Sequence, residues 1–445
     1  MTLNRDSLIL HWLLRLYLIS IPFFGFSLLN IDGRGLGRID WLIGGLMVLV
    51  FGLAALGGRL PIISNPPAVL IAVYVCSGIL SGINILGTTE SAHVIDFATK
   101  GLQLLIVTPI FFIVSSLALN RVQMRSVLRL WGMIALIIAT HAIYQVLAQV
   151  FDLPFAEFAL NNPTIGRVNT RIIFGFAQPV SIFREPGFMV AFLAPAFVLV
   201  GSYVLSGHAH LVFFRRNWRN WLMVATIGIA IVISGALAGL VTVIGTFIYM
   251  LLRGTVRRRQ IVRLLLVTIF GLLTVALILN AIGIEFLSAL MLRIQFLFIN
   301  IFDPNETAEI TSAADRFRGL EVGFDAWRQR PLLGIGLGNL EHVSAIRATV
   351  NNPWVQVLVE QGTIGFFSLL SACILLVVQL ERLARTLPAD DFWQPACVAM
   401  AAVMVVTMLG ALFAYVWTHP YRVFTLAIAN LVVVQAMQAA YRRVR

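Results

Sequence analysis

The chain has 445 residues, of which 59% are hydrophobic and only 12% charged, and its mean hydropathy is +0.91. No water-soluble core could cover that much apolar surface, so a soluble multidomain protein is excluded and one polytopic membrane domain over residues 1–445 is expected. The formal net charge of +12 is almost all arginine, Lys100 being the only lysine. In a membrane protein such an excess belongs to cytoplasmic loops and to anion-binding sites; nucleic acid is not expected as a partner. Cys76, Cys373 and Cys397 all fall within apolar runs and predict no disulfide framework.

Arg5 opens an apolar run that is long, interrupted by Arg15 and without a small-residue cleavage site. It reads as a first span rather than a removed signal peptide. Further runs of about 20 residues make an all-α bundle of about twelve spans, at roughly 8–30, 40–58, 66–86, 101–119, 127–150, 186–206, 220–234, 236–252, 261–284, 363–381, 394–416 and 423–440. Residues 220–252 are one unbroken apolar stretch, too long for one helix across about 30 Å of hydrocarbon; Ser234-Gly235 supplies the turn. Arg121, Arg125 and Arg129, then Arg215, Arg216 and Arg219, then Arg253 to Arg263, then Arg382 and Arg385, and finally Arg442, Arg443 and Arg445 all fall on one side. That side is cytoplasmic if both termini are.

Two loops on the opposite side stand out: 152–185, and a polar interval at 285–362. Arg167, Arg171 and Arg184 in the first, and Arg316 and Arg318 in the second, run against the positive-inside tendency. Within the second, Thr311 to Arg330 reads as a helix capped by Thr311 or Ser312. Phe317, Leu320, Phe324 and Trp327 share one face, and Arg318, Asp325 and Arg328 the other. Pro331 ends that helix, and Gly334, Gly336 and Gly338 follow in a turn that either brings backbone N–H groups to a phosphate or is simply tight.

The run DRFRGLEVGFDAWRQRPLLGIGLGN followed by NNPWVQVLVEQGTIG resembles the signature region of the O-antigen ligase/polymerase family of bacterial membrane glycosyltransferases. That family's pattern is an arginine opening a loop helix, a Pro-x-x-Gly-x-Gly-x-Gly run, and a His-Asn step leading into Glu-x-Gly-x-x-Gly. The parallels are Arg316; Pro331, Gly334, Gly336 and Gly338; Asn352; and Glu360, Gly362 and Gly365. SIFREPGF (Ser181 to Phe188) resembles the family's other arginine-bearing outer loop. The motifs cover these two loops, and the topology extends the likeness over most of the chain. Where ligases carry a histidine this chain has Asn351, which favours a polymerase; His342, nine residues earlier, does not fit the spacing.

The resemblance implies a GT-C-like fold in the bacterial inner membrane, with 152–185 and 285–362 as periplasmic loops, the second catalytic. It implies polymerisation of undecaprenyl-diphosphate-linked repeat units into O-antigen or exopolysaccharide. The partners would be lipid-linked glycan donor and acceptor, membrane lipids, and a chain-length regulator and flippase. Charge left on the diphosphate as the sugar–phosphate bond breaks calls for fixed cations, and arginine's planar fork suits phosphate oxygens. No Asp-x-Asp or metal-ligand set is present in the sequence, so no metal or other cofactor is expected. Arg184 reads as a diphosphate clamp with Glu185 orienting it or acting as base, or as a headgroup-snorkelling arginine at a helix start. Arg316 reads as a second clamp, or as a structural pair with Asp315 or Glu321. Arg167, Arg171 and Arg318 are candidate substrate contacts or solvated charges. Glu360 is a candidate general base, or holds Asn351 or Asn352, or caps a turn. Asn351 and Asn352 bind sugar hydroxyls or cap the next helix; His342 is a weaker substrate contact. The rival readings are a ligase attaching glycan to lipid A-core in lipopolysaccharide biosynthesis, and a transporter or flippase. The latter is disfavoured because no Asp or Glu falls at mid-span.

Overall fold

The computed structural model describes residues 5–24, 26–31, 34–58, 60–85, 91–154, 172–173, 176–183, 185–254, 311–343, 352–412 and 417–444, with scattered positions between 259 and 288. Within them, the side chains at 5–6, 27–31, 34–37, 172–173, 176, 237–238, 240, 311–318, 341, 343 and 444 fall outside the description. The described chain is helical apart from two antiparallel hairpins, Ser27–Ile31 with Arg34–Arg38 and Ile172–Ile173 with Phe176–Ala177. Helices α1 (Arg5–Ser20), α2 (Ile39–Leu56), α3 (Pro66–Leu80), α4 (Ser91–Val107), α5 (Pro109–Ser115) and α6 (Arg121–Val150) precede the first long loop. After it come α7 (Pro186–Leu205), α8 (Ala209–Val212), α9 (Asn217–Ile233) and α10 (Leu237–Arg253). The polar interval holds α11 (Thr311–Gln329) and α12 (Leu340–Val343), and α13 (Pro353–Thr386), α14 (Trp393–Gly410) and α15 (Pro420–Val444) finish the bundle.

Among the described residues eight helical stretches are long and apolar enough to cross a membrane, and Ser7–Phe23, Asn217–Ile233 and Val241–Arg253 are shorter apolar helices. This is a membrane protein. The expected span at 261–284 lies largely outside the described residues. The turn at Ser234-Gly235 is present, with Gly235 left-handed at φ 64°. Several boundaries differ from expectation. The first helical run stops at Phe23, and Ser27–Ile31 is a hairpin strand rather than the end of a span. Helix α6 begins at Arg121 rather than 127 and α14 ends at Gly410 rather than 416, and two further starts shift for identifiable reasons. The helix expected from 101 begins at Ser91, because His93, Asp96 and Lys100 in its polar first turns face other protein rather than lipid. The helix expected from 363 begins ten residues earlier, where the Asn352 carboxamide accepts from the N–H groups of Trp354 (3.1 Å) and Val355 (3.3 Å) and Pro353 takes the first helical position.

The bundle is built around α7, which is apolar all round and buried from Phe188 to Leu205 apart from Ala191. Helices α6, α9, α10 and α14 pack against it. At the end of the bundle where α10, α13 and α15 finish and α6 and α14 begin, two buried carboxylates gather arginines. Asp391 accepts from Arg443 (2.6 Å), from Arg121 and from the backbone of Trp393 (2.9 Å). Glu381 pairs with Arg253 (2.9 Å) and accepts the Tyr249 hydroxyl. Arginines that the sequence assigns to separate loops of one side thus meet at one end.

At the opposite end, hereafter the loop end, α13 is broken. Gly362 adopts φ 68°, ψ −170°, outside the helical range. In an unbroken helix the N–H groups of Thr363 and Ile364 would reach the carbonyls of Val359 and Glu360. Instead they donate to Pro331 (2.8 Å) and Leu332 (3.4 Å), while Val359 and Glu360 accept from Ile335 (2.9 Å) and Gly336 (3.1 Å). The glycine turn of the polar interval therefore sits inside the helix break, satisfying the four backbone groups the break exposes. Such groups, left buried and unpaired, cost about 1–3 kcal/mol each. The fit needs bare backbone on both sides. A Cβ at Gly334 would meet the Val359–Gln361 backbone, and one at Gly362 the Leu332 carbonyl.

Gly362→Ala should therefore both strain the left-handed position and push the turn out, lowering stability by about 2 kcal/mol or more. Amide hydrogen exchange in detergent should rise across 331–339. Exchange unchanged from wild type would show that the break does not hold the turn.

Candidate functional site at the loop end

Three pieces of chain converge on the loop end, each held by identifiable bonds. The first is the polar interval. Ala326, Ile335, Leu340, Val355 and Val359 form a small buried cluster, with Leu320 and Trp327 against it, so α11 lies on the first half of α13. The expected apolar stripe is only half right. Phe324 is 41% exposed, whereas Gly319, Gly323 and Ala326 are buried. Small residues at i, i+4 and i+7 let α11 approach closely and rotate Phe324 outward. Asp325 and Arg328 are exposed as expected and pair with each other at 2.9 Å; the Phe317 and Arg318 side chains lie outside the described residues. The glycine turn is structural. The N–H groups of Gly334, Ile335 and Gly336 are engaged by backbone carbonyls and do not form a phosphate cradle.

The second piece leads to Arg184. Gln149, Gln145 and His141 lie four residues apart on one face of α6. Gln149 brackets Ala177, accepting from its N–H (2.7 Å) and donating to its carbonyl (3.1 Å). Gln145 accepts from the N–H groups of Val180 (3.1 Å) and Ser181 (2.7 Å), and the His141 ring meets the Ser181 hydroxyl at 2.9 Å. Ser181 is buried and left-handed, at φ 52°. This ladder pins residues 177–181, and α7 begins as expected with Glu185 as N-cap and Pro186 at the first helical position. Arg184 itself lies outside the described residues.

The third piece is the start of α15. Arg422 is 2% exposed and its guanidinium lies 5.3 Å from the Trp417 ring and 5.7 Å from that of Tyr421. Trp417 packs edge-on against Trp354 of α13 at 4.6 Å, and His419 stacks on Tyr421 and meets Phe24 and Phe188. Tyr74 of α3 hydrogen-bonds Gln361 and feels the charges of both Glu360 and Arg422. Around this buried cation, Trp417 Nε1 and His419 Nδ1 are enclosed yet have no hydrogen-bond partner among the described residues. Burial first, then the charges of Arg422, Arg38 and Lys100, hold the His419 imidazole well below its ordinary value of 6.5. Arg38 is ion-paired with Asp40 at 2.7 Å.

The other sequence candidates fall as follows. Glu360 is buried at the helix break and accepts from the Gln356 carboxamide at 3.1 Å. Glu185 is half-buried, its carbonyl accepting from Phe188 and Met189. Asn352 is the cap described above, so its carbonyl oxygen is engaged by backbone rather than directed at a sugar. His342 bonds Asp96 through Nε2 at 2.7 Å and lies against His93 at 4.4 Å, tying α12 to α4. Arg316 lies on the backbone of α11 with its side chain outside the described residues, and Arg167, Arg171 and Asn351 lie outside them altogether. Sequence reasoning missed Arg422, although the signal that singled out Arg184, an arginine opposite the arginine-rich side at the head of an apolar run, applies to it equally. Among the described residues no group of three His, Cys, Asp or Glu side chains is placed to hold a metal ion. No protein-family model matches the chain, and no curated protein matches it significantly.

The depressed His419 imidazole has a stability consequence. Below pH 6.5 the unfolded chain takes up a proton there that the folded chain does not, so folding weakens as pH falls. The thermal midpoint in detergent should fall between pH 7.5 and 5.5, and His419→Phe, which keeps a ring against Phe24 and Phe188, should reduce that fall. An identical pH profile in the variant would place the titration elsewhere.

Proposed function

We propose that this protein polymerises oligosaccharide repeat units carried on a polyprenyl diphosphate, at the periplasmic face of a bacterial inner membrane. In this reading the bundle has about twelve spans and both termini are cytoplasmic. The observation that carries the reading is the basic basin at the loop end. There the buried Arg422 guanidinium lies 5.3 Å from the Trp417 ring and 5.7 Å from that of Tyr421, on the end of the bundle to which the segment before Arg184 and the interval that carries Arg316 are attached.

The reaction follows from the charge arrangement. The bond between the anomeric carbon and the diphosphate oxygen breaks, and its electron pair stays on the diphosphate. The hydroxyl oxygen of an acceptor unit bonds to the anomeric carbon and gives its proton to a carboxylate, for which Glu360 and Glu185 are the candidates. Arginines at the departing oxygen stabilise charge that grows in the transition state, which lowers the barrier without a metal. The glycine turn and the α6 ladder act as positioning elements. They fix the backbone of α11, which carries Arg316, and that of residues 177–181 ahead of Arg184, and preorganisation is what makes fixed charges effective. Asn351 in place of the ligase-type histidine favours a sugar hydroxyl as acceptor over lipid A-core.

Arg184→Ala and Arg316→Ala should each lower polymer formation by about a hundredfold or more while leaving membrane expression intact, assayed as chain-length distribution with lipid-linked repeat units and purified protein. Near-normal chains from both variants would overturn the diphosphate-clamp mechanism. EDTA should leave the rate within about twofold of untreated enzyme; strong inhibition restored by a divalent cation would replace arginine catalysis with metal-assisted departure.

A further inference from the structure

At the end of the bundle opposite the loop end, arginines of two packed elements gather without acidic partners. Arg125 and Arg129 lie near the start of α6, and Arg215, Arg216 and Arg219 in the turn from α8 into α9. No Asp or Glu occurs between Asp96 and Asp152 or between Glu185 and Glu285, so neither element carries a carboxylate of its own. The buried acids of this end are taken, Asp391 by Arg121 and Arg443 and Glu381 by Arg253. Among the described residues these five arginines form no ion pair.

Helix packing brings the two groups to one level. A Cβ at Gly132 of α6 would fall 2.7 Å from the Met223 side chain of α9. Both helices begin at this end and rise about 1.5 Å per residue. Seven residues back, Arg125 is therefore about level with Arg216; three back, Arg129 is about level with Asn220, next to Arg219. The turn is held rigidly. Buried Asn220 accepts from the Phe214 N–H (2.9 Å) and donates to the Phe214 carbonyl (2.9 Å), and Arg125 reaches the His210 carbonyl (3.4 Å). On this closed turn Arg215, Arg216 and Arg219 are exposed, and the Arg219 guanidinium lies 5.4 Å from the ring of Trp218, itself 58% exposed. Further along both helices the outward faces turn apolar. Leu222, one turn after Trp218, and Ile137, on the face of α6 that carries Arg129, are both exposed. Both helices pack on α7, so these faces look the same way, away from it.

We infer that this corner binds an anionic phospholipid of the adjacent leaflet, its phosphate held by Arg129, Arg216 and Arg219 and its acyl chains lying along Leu222 and Ile137. The inference goes beyond the polymerase reading and does not rest on it; it needs only that the bundle sits in a membrane. Guanidinium groups offer paired donors to phosphate oxygens, and basic clusters at a membrane surface draw anionic lipids. Charge alone would serve any polyanion. The apolar faces beyond the arginines, and an exposed indole of the kind favoured at the membrane–water boundary, fit an anion that carries acyl chains. A zwitterionic headgroup would bring its own cation to the arginines and gain little.

The test uses the full chain in detergent, with phosphatidylglycerol as the probe, phosphatidylcholine of the same chains for comparison and glycerol 1-phosphate as a tail-less competitor, binding being read by native mass spectrometry. Phosphatidylglycerol should bind about tenfold or more tightly than phosphatidylcholine, and more weakly as salt rises. Glycerol 1-phosphate should not displace it. Arg216→Gln/Arg219→Gln should lower the affinity for phosphatidylglycerol by about tenfold or more. Its thermal midpoint in lipid-free detergent should match wild type, because neither side chain is ion-paired or hydrogen-bonded among the described residues. Arg382→Gln/Arg442→Gln, which removes two other exposed arginines from the same end, should change the affinity less than about twofold. Equal affinity for the two lipids would overturn the inference. So would an equal loss in the second pair, which would mean diffuse attraction, or displacement by glycerol 1-phosphate, which would mean a site for soluble anions. No glycan enters the assay, so failure to form polymer would remove the polymerase reading and leave the lipid site standing.

Discussion

The exchange of backbone hydrogen bonds between the broken helix α13 and the glycine turn is the constraint on which the loop end depends. A helix interrupted inside a membrane bundle exposes two N–H groups and two carbonyls that lipid cannot satisfy. Here a second piece of chain supplies the complement, Pro331 and Leu332 accepting what Thr363 and Ile364 donate, and Ile335 and Gly336 donating to Val359 and Glu360. Neither partner is complete alone. The turn fixes where the helix stops, and the break fixes where the polar interval lands. Asn84 adds a bond to the Gly334 carbonyl at 2.6 Å, and the His342–Asp96 pair ties down the far side of the turn.

From that joint the remaining geometry follows by contact. Helix α11 is laid along the first half of α13 by a stripe of small residues, so Arg316 is carried on a backbone whose position is set by the break. Trp354, one turn into α13, packs on Trp417 and thereby reaches Arg422. On the other flank, three polar side chains of one α6 face hold the segment before Arg184. The two arginine-bearing loops are thus attached to different helices by different chemistry, yet both attachments border the basic basin.

The two ends of the bundle handle their charges differently. At the end gathered by Asp391 and Glu381, each buried carboxylate is met by arginines from other elements, and the result is a set of structural clamps. At the loop end Arg38 pairs with Asp40 and His342 with Asp96, while the buried Arg422 guanidinium lies over the Trp417 and Tyr421 rings.

What the sequence determined by itself is what depends on one segment and its solvent: a helical membrane protein, the positions of its long apolar runs, the turn at Ser234-Gly235, the helix over 311–329 and the start of α7 at Pro186. These follow from hydropathy, capping and proline geometry, which act over one or two turns. The tertiary structure decided which bland or functional reading each residue takes. The glycines serve backbone-to-backbone contact because Gly334 and Gly362 must pass one another closely, and Phe324 points outward because Gly319 and Gly323 face α13. Asn352 became a cap, and His342 a tether to α4. Arg422 became central only when α3, α7, α13 and α15 were brought together around it, since burial and potential are sums over neighbours distant in the chain and no local pattern encodes them.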